Sequence, residues 1–381
     1  MKILHCCLSC FYIDGYSYQE NLLPHFNFLH GNEVEIIAST ETFDREGHLS
    51  YLKPSEYKTE DGIKIIRVPY KRFLPHCVMK KIRSYKGVYE LIDQFSPNVI
   101  LFHGMTAFEL FSVVKYAKKH PNVKLYVDSH EDYHTCAGNW FSKRILHEIF
   151  YRNIIKKCIP FIQKVLYITE EVKDFIIQEY KVPEQLMEYY PLGGSIVTKE
   201  EKKKWREFIR KQQEIDDSTL VLMHSGKLEK PKKTEMLIKG LKKVDADNVL
   251  LFIAGNIPPE NEQLWDQING NPRIKWLGWL NAEELRHYLY ACDIYVQPGG
   301  QSATMQNAMC CGVAVMLYPH KSHLKLCREN VMWIKNADDI CHEVSKAVKN
   351  PALIEKMGEV SWQIAKEKLD YGALASRIEK N

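Results

Sequence analysis

The stretch from Gln297 to Leu317, QPGGQSATMQNAMCCGVAVML, restricts the fold more than any other part of the chain. Upstream, Ala291 to Val296 is strand-like and apolar, and Pro298-Gly299-Gly300 breaks it with residues that turn easily. Met305 to Cys311 are good or tolerable helix formers. Gly312 can take the left-handed turn that ends a helix, and Val313 to Leu317 reads as a buried parallel strand. A strand, a tight loop, a short helix and a second strand in so few residues make a β-loop-α-β unit, which places the chain among α/β folds.

The loop of that unit is rich in donors. The first amides of a helix lack intrahelical partners and lie at the positive end of its dipole, so together with the Ser302 and Thr304 hydroxyls they suit a phosphate or pyrophosphate. Gly299 and Gly300 let the backbone approach closely. The same residues serve equally as an ordinary helix cap and turn.

At 381 residues the chain is long enough for two α/β domains, each with its own core. Lys plus Arg number 52 against 48 for Asp plus Glu, so bulk charge calls for no nucleic-acid partner. No stretch is long and apolar enough to span a bilayer, and the start lacks the order of a signal peptide, so a cytoplasmic location is expected. Eleven cysteines are present. Cys7 and Cys10 have the spacing of half a zinc or redox site, but no second such pair follows. Cys6, Cys7, Cys310 and Cys311 read as buried free thiols.

From the N-terminus, MKILHCCLSCF is an apolar strand, a loop with Asp14, Gly15, Tyr16 and Ser17 follows, and a helical pattern runs from about Tyr18 to Gly31. With the strand Glu33 to Ser39 this makes a right-handed βαβ unit of Rossmann type. A dinucleotide fingerprint is absent, which argues against an NAD enzyme. Lys80, Lys81, Arg83 and Lys86, with Met79, Ile82 and Tyr85 between them, begin a pattern that continues as a helix to Gln94. Lys143, Arg144, Arg152, Lys156 and Lys157 add to the basic side of this half. Such mixtures suit an anionic membrane surface and suit a solvated helix face equally. The strand Leu125 to Asp128 runs into Ser129-His130-Glu131-Asp132-Tyr133-His134, polar groups at the strand end where α/β sheets bind ligands. His130 and His134 can also be simple loop hydrogen-bonders. Later, the strand from Leu220 ends in Gly226-Lys227-Leu228, followed by Lys230, Lys232 and Lys233, which can neutralise a diphosphate or stay free at the surface.

Several of these runs resemble retaining glycosyltransferases of family 4. QNAMCCGVAVML is similar to that family's donor-site helix, usually Glu-Ala-Met-Ala-x-Gly-x-Pro-Val with a second glutamate upstream. Aligned on Ala308, Met309 and Gly312, the two glutamate positions fall on Gly299 and Asn307, so neither carboxylate is present. Gly226-Lys227-Leu228 with Lys232 resembles the family's Gly-Arg-Leu-x-x-x-Lys pattern. Val165 to Glu170 and Tyr190 to Gly194 resemble a strand end and an interdomain turn of the family. The run GYSYQENLLPHFNFLHGNEVEIIAS is similar to its opening, in particular in the capsule and lipopolysaccharide subgroup.

The resemblance implies an α/β chain with two Rossmann-like domains facing a central cleft, the GT-B fold. Residues 1–194 would form the acceptor domain and 195–360 the nucleotide-sugar domain, and 361–381 a helix crossing back to the first. It implies retaining transfer of a sugar from a nucleotide-sugar to a glycan or lipid-linked acceptor in surface polysaccharide synthesis. Peripheral contact with anionic membrane is expected, and no metal or other cofactor. The donor is expected on Gly15, Gly226, Lys227, Lys232, Gly299, Gly300, Gln301, Ser302, Ala303, Thr304 and Asn307, with His130 and Asn307 as catalytic groups. Loss of both glutamates keeps two alternatives open: a noncatalytic binding or scaffold protein, and an enzyme with an unusual donor.

Overall fold

A computed structural model describes residues 1–44, 48–133 and 142–380, the side chains of 142–144 excepted. His134 and the side chains of Lys143 and Arg144 lie outside the described residues. The chain forms two compact units, Met1–Pro191 with Tyr371–Asn381, and Leu192–Asp370.

In the first unit the strands are β1 (Lys2–Cys7), β2 (Glu33–Ser39), β3 (Glu41–Phe43), β4 (Leu49–Tyr51), β5 (Ser55–Lys58), β6 (Lys64–Val68), β7 (Val99–Phe102), β8 (Lys124–Ser129), β9 (Lys164–Tyr167) and β10 (Met187–Tyr189). The main sheet has the order β10-β9-β8-β7-β1-β2-β6-β5. Every pairing in it is parallel except β5 with β6, and β3 pairs with β4 in a separate hairpin. Because side chains alternate along a strand, β1 sends Leu4 and Cys6 to one core and Ile3 and Cys7 to the other. His5 shares the second face and is fully buried, so its ring must find partners inside the protein.

That face is closed by two helices, Gln19–Leu29 and Tyr371–Lys380. Tyr371, Leu374, Ala375 and Ile378 recur at helical spacing and are all buried in this core. Burying Tyr371, Leu374 and Ile378 contributes roughly 1.5–3 kcal/mol apiece. Tyr371 stacks on Phe26 at 6.4 Å, and the Tyr190 hydroxyl donates to Leu374 O at 2.6 Å. The last helix therefore completes the core of the first unit. Residues 361–368 are the end of the long helix Pro351–Lys368 in the second unit, so the chain returns at Tyr371 instead of 361.

The second unit contains β11 (Leu220–Ser225), β12 (Val249–Ala254), β13 (Ile274–Trp276), β14 (Ile294–Gln297), β15 (Ala314–Leu317) and β16 (Val331–Trp333), in the order β13-β12-β11-β14-β15-β16. All pairings are parallel, and β14, the helix Thr304–Cys310 and β15 form the expected unit with Gly312 left-handed at φ 63. The strand ends crowd one another. A Cβ on Gly255 would lie 1.8 Å from Gly226 O, so only glycine fits there.

One helical expectation changes. The pattern from Lys80 to Gln94 is two helices, His76–Ile82 and Val88–Phe95, separated by Arg83 at φ 55. The break lets Tyr85 bury and stack on Tyr70 at 4.6 Å, and it turns Arg83 inward. Residues Ser142–Tyr151 and Ile176–Tyr180 are wound as π-helix. Cys6, Cys7, Cys310 and Cys311 are buried free thiols. Among the described residues no helix is long and apolar enough to cross a membrane.

Candidate functional site

The carboxyl-terminal strand ends of the second unit gather most of the residues expected to hold an anion. Gly300 N donates to Pro231 O at 2.8 Å, fastening the loop after β14 to the turn Lys230–Lys232. Lys232 Nζ then donates to Gln301 O at 3.1 Å and lies 3.4 Å from Gly300 O. It also stands 3.7 Å from where a Cβ on Gly226 would sit, ordinary contact, so it is the φ of 131 rather than crowding that calls for glycine there. Burial pushes the Lys232 pKa down. An ammonium has three donors, and two carbonyls leave one of them for a ligand.

Beside it lies a group of hydroxyls. Ser302 Oγ accepts from Thr304 N at 3.3 Å and pairs with Thr304 Oγ1 at 3.2 Å, while Ala303 occupies the N-cap without a side-chain bond. The Tyr295 hydroxyl lies 3.2 Å from Ser225 Oγ. Burial raises the Tyr295 pKa, opposed by bonds to Ser225, Thr304 and Ser302. His224 is neutral, its pKa lowered to about 4 by burial, and it ties β14 to the helix Thr234–Lys242 through Val296 O and Thr234 Oγ1. His320 Nε2 donates to Gly299 O at 3.0 Å.

Two residues answer the question of the absent carboxylates. A Cβ on Gly299 would lie 2.0 Å from Pro231 O and 2.7 Å from the Lys232 carbonyl carbon. The backbone of the lysine turn thus occupies the space that a glutamate would need. Asn307 packs against the turn at Gly194, where a Cβ would meet Asn307 Oδ1 and Cys310 Sγ at 2.8 Å each. Lys227 stands apart from the cluster, with a 67% exposed side chain paired to Glu229 at 2.8 Å. Gln297 was not singled out by sequence, yet its side chain is the most exceptional in the unit. It is 1% exposed, and both amide atoms are buried without a hydrogen-bond partner. A cavity of about 910 Å³ lies at the opposite strand ends, by Leu220, Asn248 and Asp293. Among its charged groups Arg206 is paired with Asp293, Lys199 with Glu359, and Lys202 donates to Gly312 O, so its size says less than the chemistry at the other edge.

In the first unit the strand ends hold a second polar cluster. His103 Nδ1 meets Asp128 Oδ2 at 2.6 Å, and Gly104 N and Gln19 Nε2 donate to the same carboxylate at 2.6 and 3.1 Å. Burial opposes its charge, but the His103 and His130 charges and the His103 hydrogen bond outweigh burial and hold the Asp128 pKa well below the usual carboxylate range. His130 lies 3.7 Å from Asp128 and 4.0 Å from Glu20, ion-pair distances rather than hydrogen bonds. Burial opposes its charge, but Asp128, Glu20 and Glu131 outweigh burial and raise its pKa to about 9. Arg83 Nη1 donates to Ser9 Oγ at 2.7 Å and to Thr106, whose hydroxyl donates to Glu131. Arg83 is therefore part of this cluster and not of a basic surface. Gly15 has φ 77 and open space around its Cα.

Cys10, Asp128 and His130 bring one ligand atom each within 4.8 Å of one another. Burial, then Glu20 and Asp128, pushes the Cys10 thiol well up, His130 holds its proton, and Asp128 already accepts three bonds. Ligation of a metal ion by this set would require thiolate and neutral imidazole, so binding would have to release both protons.

Known proteins share this architecture. Over 100% of the chain and 98% of the other, the structure matches the sucrose-phosphate synthase of Thermosynechococcus elongatus with a TM-score of 0.70 at 13% identity. Anabaena HepE, in complex with UDP and glucose, matches with a TM-score of 0.67 at 14% identity over 100% and 98% of the two chains. WaaG, a glycosyltransferase involved in lipopolysaccharide biosynthesis, matches with 0.62 at 14% identity over 98% of each. No curated protein matches the sequence. Two family models do: Glycosyltransferase Family 4 over residues 29–193, and Glycosyl transferases group 1 over residues 205–361. With both halves matched and two parallel-sheet domains of the GT-B kind, the chain belongs to the family 4, group 1 glycosyltransferases.

Proposed function

We propose that the protein transfers a sugar, with retention, from a nucleoside diphosphate sugar to a glycan or lipid-linked acceptor. The observation that carries this reading is the Lys232 ammonium, half-buried between Gly226 and the carbonyls of Gly300 and Gln301, next to the Ser302 and Thr304 hydroxyls. Departure of a diphosphate leaves negative charge that a preorganised cation, hydroxyl donors and helix-start amides stabilise before the bond breaks. In this reading the leaving group sits on residues 299–304 and Lys232, Asn307 bonds the ribose, and no metal is assigned. His130, protonated at neutral pH, is the sugar- or acceptor-facing group of the first unit. UDP is the first nucleotide to test, since HepE is seen with UDP and glucose.

The acceptor side of the reading is a membrane surface carrying the lipid-linked glycan. Phe73 is 61% exposed, and Leu74 and Val78 are exposed beside Arg72, Lys80 and Lys81, a mixture that suits an anionic bilayer face. In this reading the protein works in the cytoplasm at the inner face of the membrane, in surface polysaccharide synthesis, as WaaG is involved in lipopolysaccharide biosynthesis.

Thermal shift with a panel of nucleoside diphosphates tests the proposal, because a ligand at a hundredfold its Kd stabilises the folded state by about 2.7 kcal/mol. A specific rise with one base, absent in Lys232→Ala, is the expected result. A second reading is favoured by Gly299, where packing leaves no room for the carboxylate that touches the donor sugar in the family. If no nucleoside diphosphate shifts the transition, a noncatalytic binding role takes precedence.

A further inference from the structure

Five side chains in the first unit form one unbroken chain of hydrogen bonds from the C-terminal helix to the strand ends. Glu379 Oε1 accepts from Asn27 Nδ2 at 2.6 Å, and Ala375 O accepts from the same nitrogen at 3.3 Å. Asn27 Oδ1 faces His5 Nε2 at 3.0 Å, His5 Nδ1 faces His103 Nε2 at 3.0 Å, and His103 Nδ1 faces Asp128 Oδ2 at 2.6 Å. Asn27, His5, His103 and Asp128 are completely buried, so water cannot substitute for a wrongly oriented partner.

The direction of each bond follows from its neighbour. Two acceptors hold the Asn27 nitrogen toward the helix, so the amide oxygen is turned toward His5, and His5 Nε2 must carry the hydrogen. One extra proton is shared by the two rings, and it belongs on the ring that touches the Asp128 carboxylate at 2.6 Å, so His5 is neutral with a bare Nδ1 and His103 Nε2 donates to it. Asp128 accepts from Gly104 N and Gln19 Nε2 as well, an environment that keeps it ionised, so His103 Nδ1 must also donate. Both nitrogens of His103 are thus protonated. Burial and the adjoining His103 charge lower the His5 pKa to about 3, in keeping with a neutral ring there.

We propose that Glu379 and Asn27 are positioning residues that, through the tautomer of His5, hold His103 as a buried imidazolium against Asp128. Turning the Asn27 amide over reverses the whole chain. His5 would accept at Nε2 and donate from Nδ1, His103 Nε2 would become an acceptor, and its second proton would pass to solvent. The orientation of one amide, set by the C-terminal helix, thereby fixes one unit of charge beneath His130. Glu20, Glu131, Cys10, Cys7 and Tyr190 are titratable groups that also face Asp128 or His130, and His30 shares Glu379 with Asn27 and Asn32 at the far end.

The arrangement rests on the first unit alone, and it draws on the transferase reading only in calling the surroundings of His130 a site. Nitrogen-15 NMR of histidine-labelled full-length protein reads it directly, because imidazolium and the two neutral tautomers have distinct ring shifts. At neutral pH the expected spectrum has His103 doubly protonated and His5 protonated on Nε2. Glu379→Gln keeps an acceptor for Asn27 and should retain that spectrum. Glu379→Lys, a donor only, should turn the amide, moving the His5 proton to Nδ1 and leaving His103 neutral. A neutral His103 or an Nδ1-protonated His5 in the wild type overturns the proposal, as does a folded Glu379→Lys protein with the wild-type spectrum. If Glu379→Lys does not fold, the wild-type and Glu379→Gln spectra decide it. None of these readings depends on sugar transfer or nucleotide binding, so this idea and the functional one fail separately.

Discussion

Restoring the family's upstream glutamate should damage this protein, and the damage should come from a single carbon. At position 299 a Cβ would stand 2.0 Å from Pro231 O, whereas ordinary contact begins near 3.4 Å, so the lysine turn must retreat by roughly 1.4 Å. That retreat breaks the bond from Gly300 N to Pro231 O, now 2.8 Å, and pulls Lys232 from its two carbonyls. Overpacking costs about 1–3 kcal/mol and the lost hydrogen bond about 1, together about 2–4 kcal/mol. For a unit of this size each kcal/mol is worth about 2–4 °C, so the transition should fall by roughly 4–16 °C. Gly299→Ala and Gly299→Glu carry the same Cβ, and calorimetry should find their losses similar. Diphosphate affinity should fall in both, since both displace Lys232. A Gly299→Ala protein as stable as the wild type would refute the reasoning, and a Gly299→Glu protein with enhanced turnover would show that the pocket accepts the carboxylate.

Lys232→Ala removes a partly buried charge-assisted bond and should weaken UDP about 10- to 100-fold while sparing uridine, measured by calorimetric titration; Lys227→Ala, exposed and paired with Glu229, should do far less. Thr304→Val keeps the shape of the loop but removes its hydroxyl, and turnover should drop with little change in melting temperature. The stabilisation from His130 is fully present below pH 6.5 and is lost as pH rises through about 9, so wild-type melting temperature should fall more steeply across that window than that of His130→Gln. The protein should sediment with anionic vesicles at low salt and release as salt rises, with charge screened within about 10 Å at 0.1 M, and Phe73→Ser with Leu74→Ser should abolish the binding.

Periodicity and turn residues carried the strand order well. The β14-helix-β15 unit and Gly312 stand where apolar runs and a helix-stopping glycine indicate, because those signals are local. Arg83 is the counterexample. Its left-handed backbone goes with the burial of Tyr85 against Tyr70, a contact between distant positions that local pattern does not show, and only Gly87, left-handed at φ 71 before the second helix, marks the break in the sequence. Gly299 looks like any loop glycine until Pro231 is brought beside it. His5 and His103 read as separate histidines on separate strands, and only the pairing of β1 with β7 makes them neighbours. Gln297 looked like the last residue of a strand, and its significance lies wholly in what fails to touch it. The Pro351–Lys368 helix and the one after it share one amphipathic pattern, so the place where the chain changes units could not be read from periodicity.

The last helix also dictates an order of assembly. Leu192–Asp370 is one continuous stretch, and all its strand pairings lie within it. The first unit, although synthesised earlier, lacks Tyr371, Leu374, Ala375 and Ile378 from one of its two cores until translation has passed them. Domains usually fold in the order in which they emerge, but here the nascent first unit must wait with Leu23, Ile36 and Tyr190 uncovered while its successor folds. That interval is when it is open to aggregation and to chaperone capture. A released chain truncated before Tyr371 should show protease resistance in the second unit and sensitivity in the first, the reverse of the usual vectorial pattern.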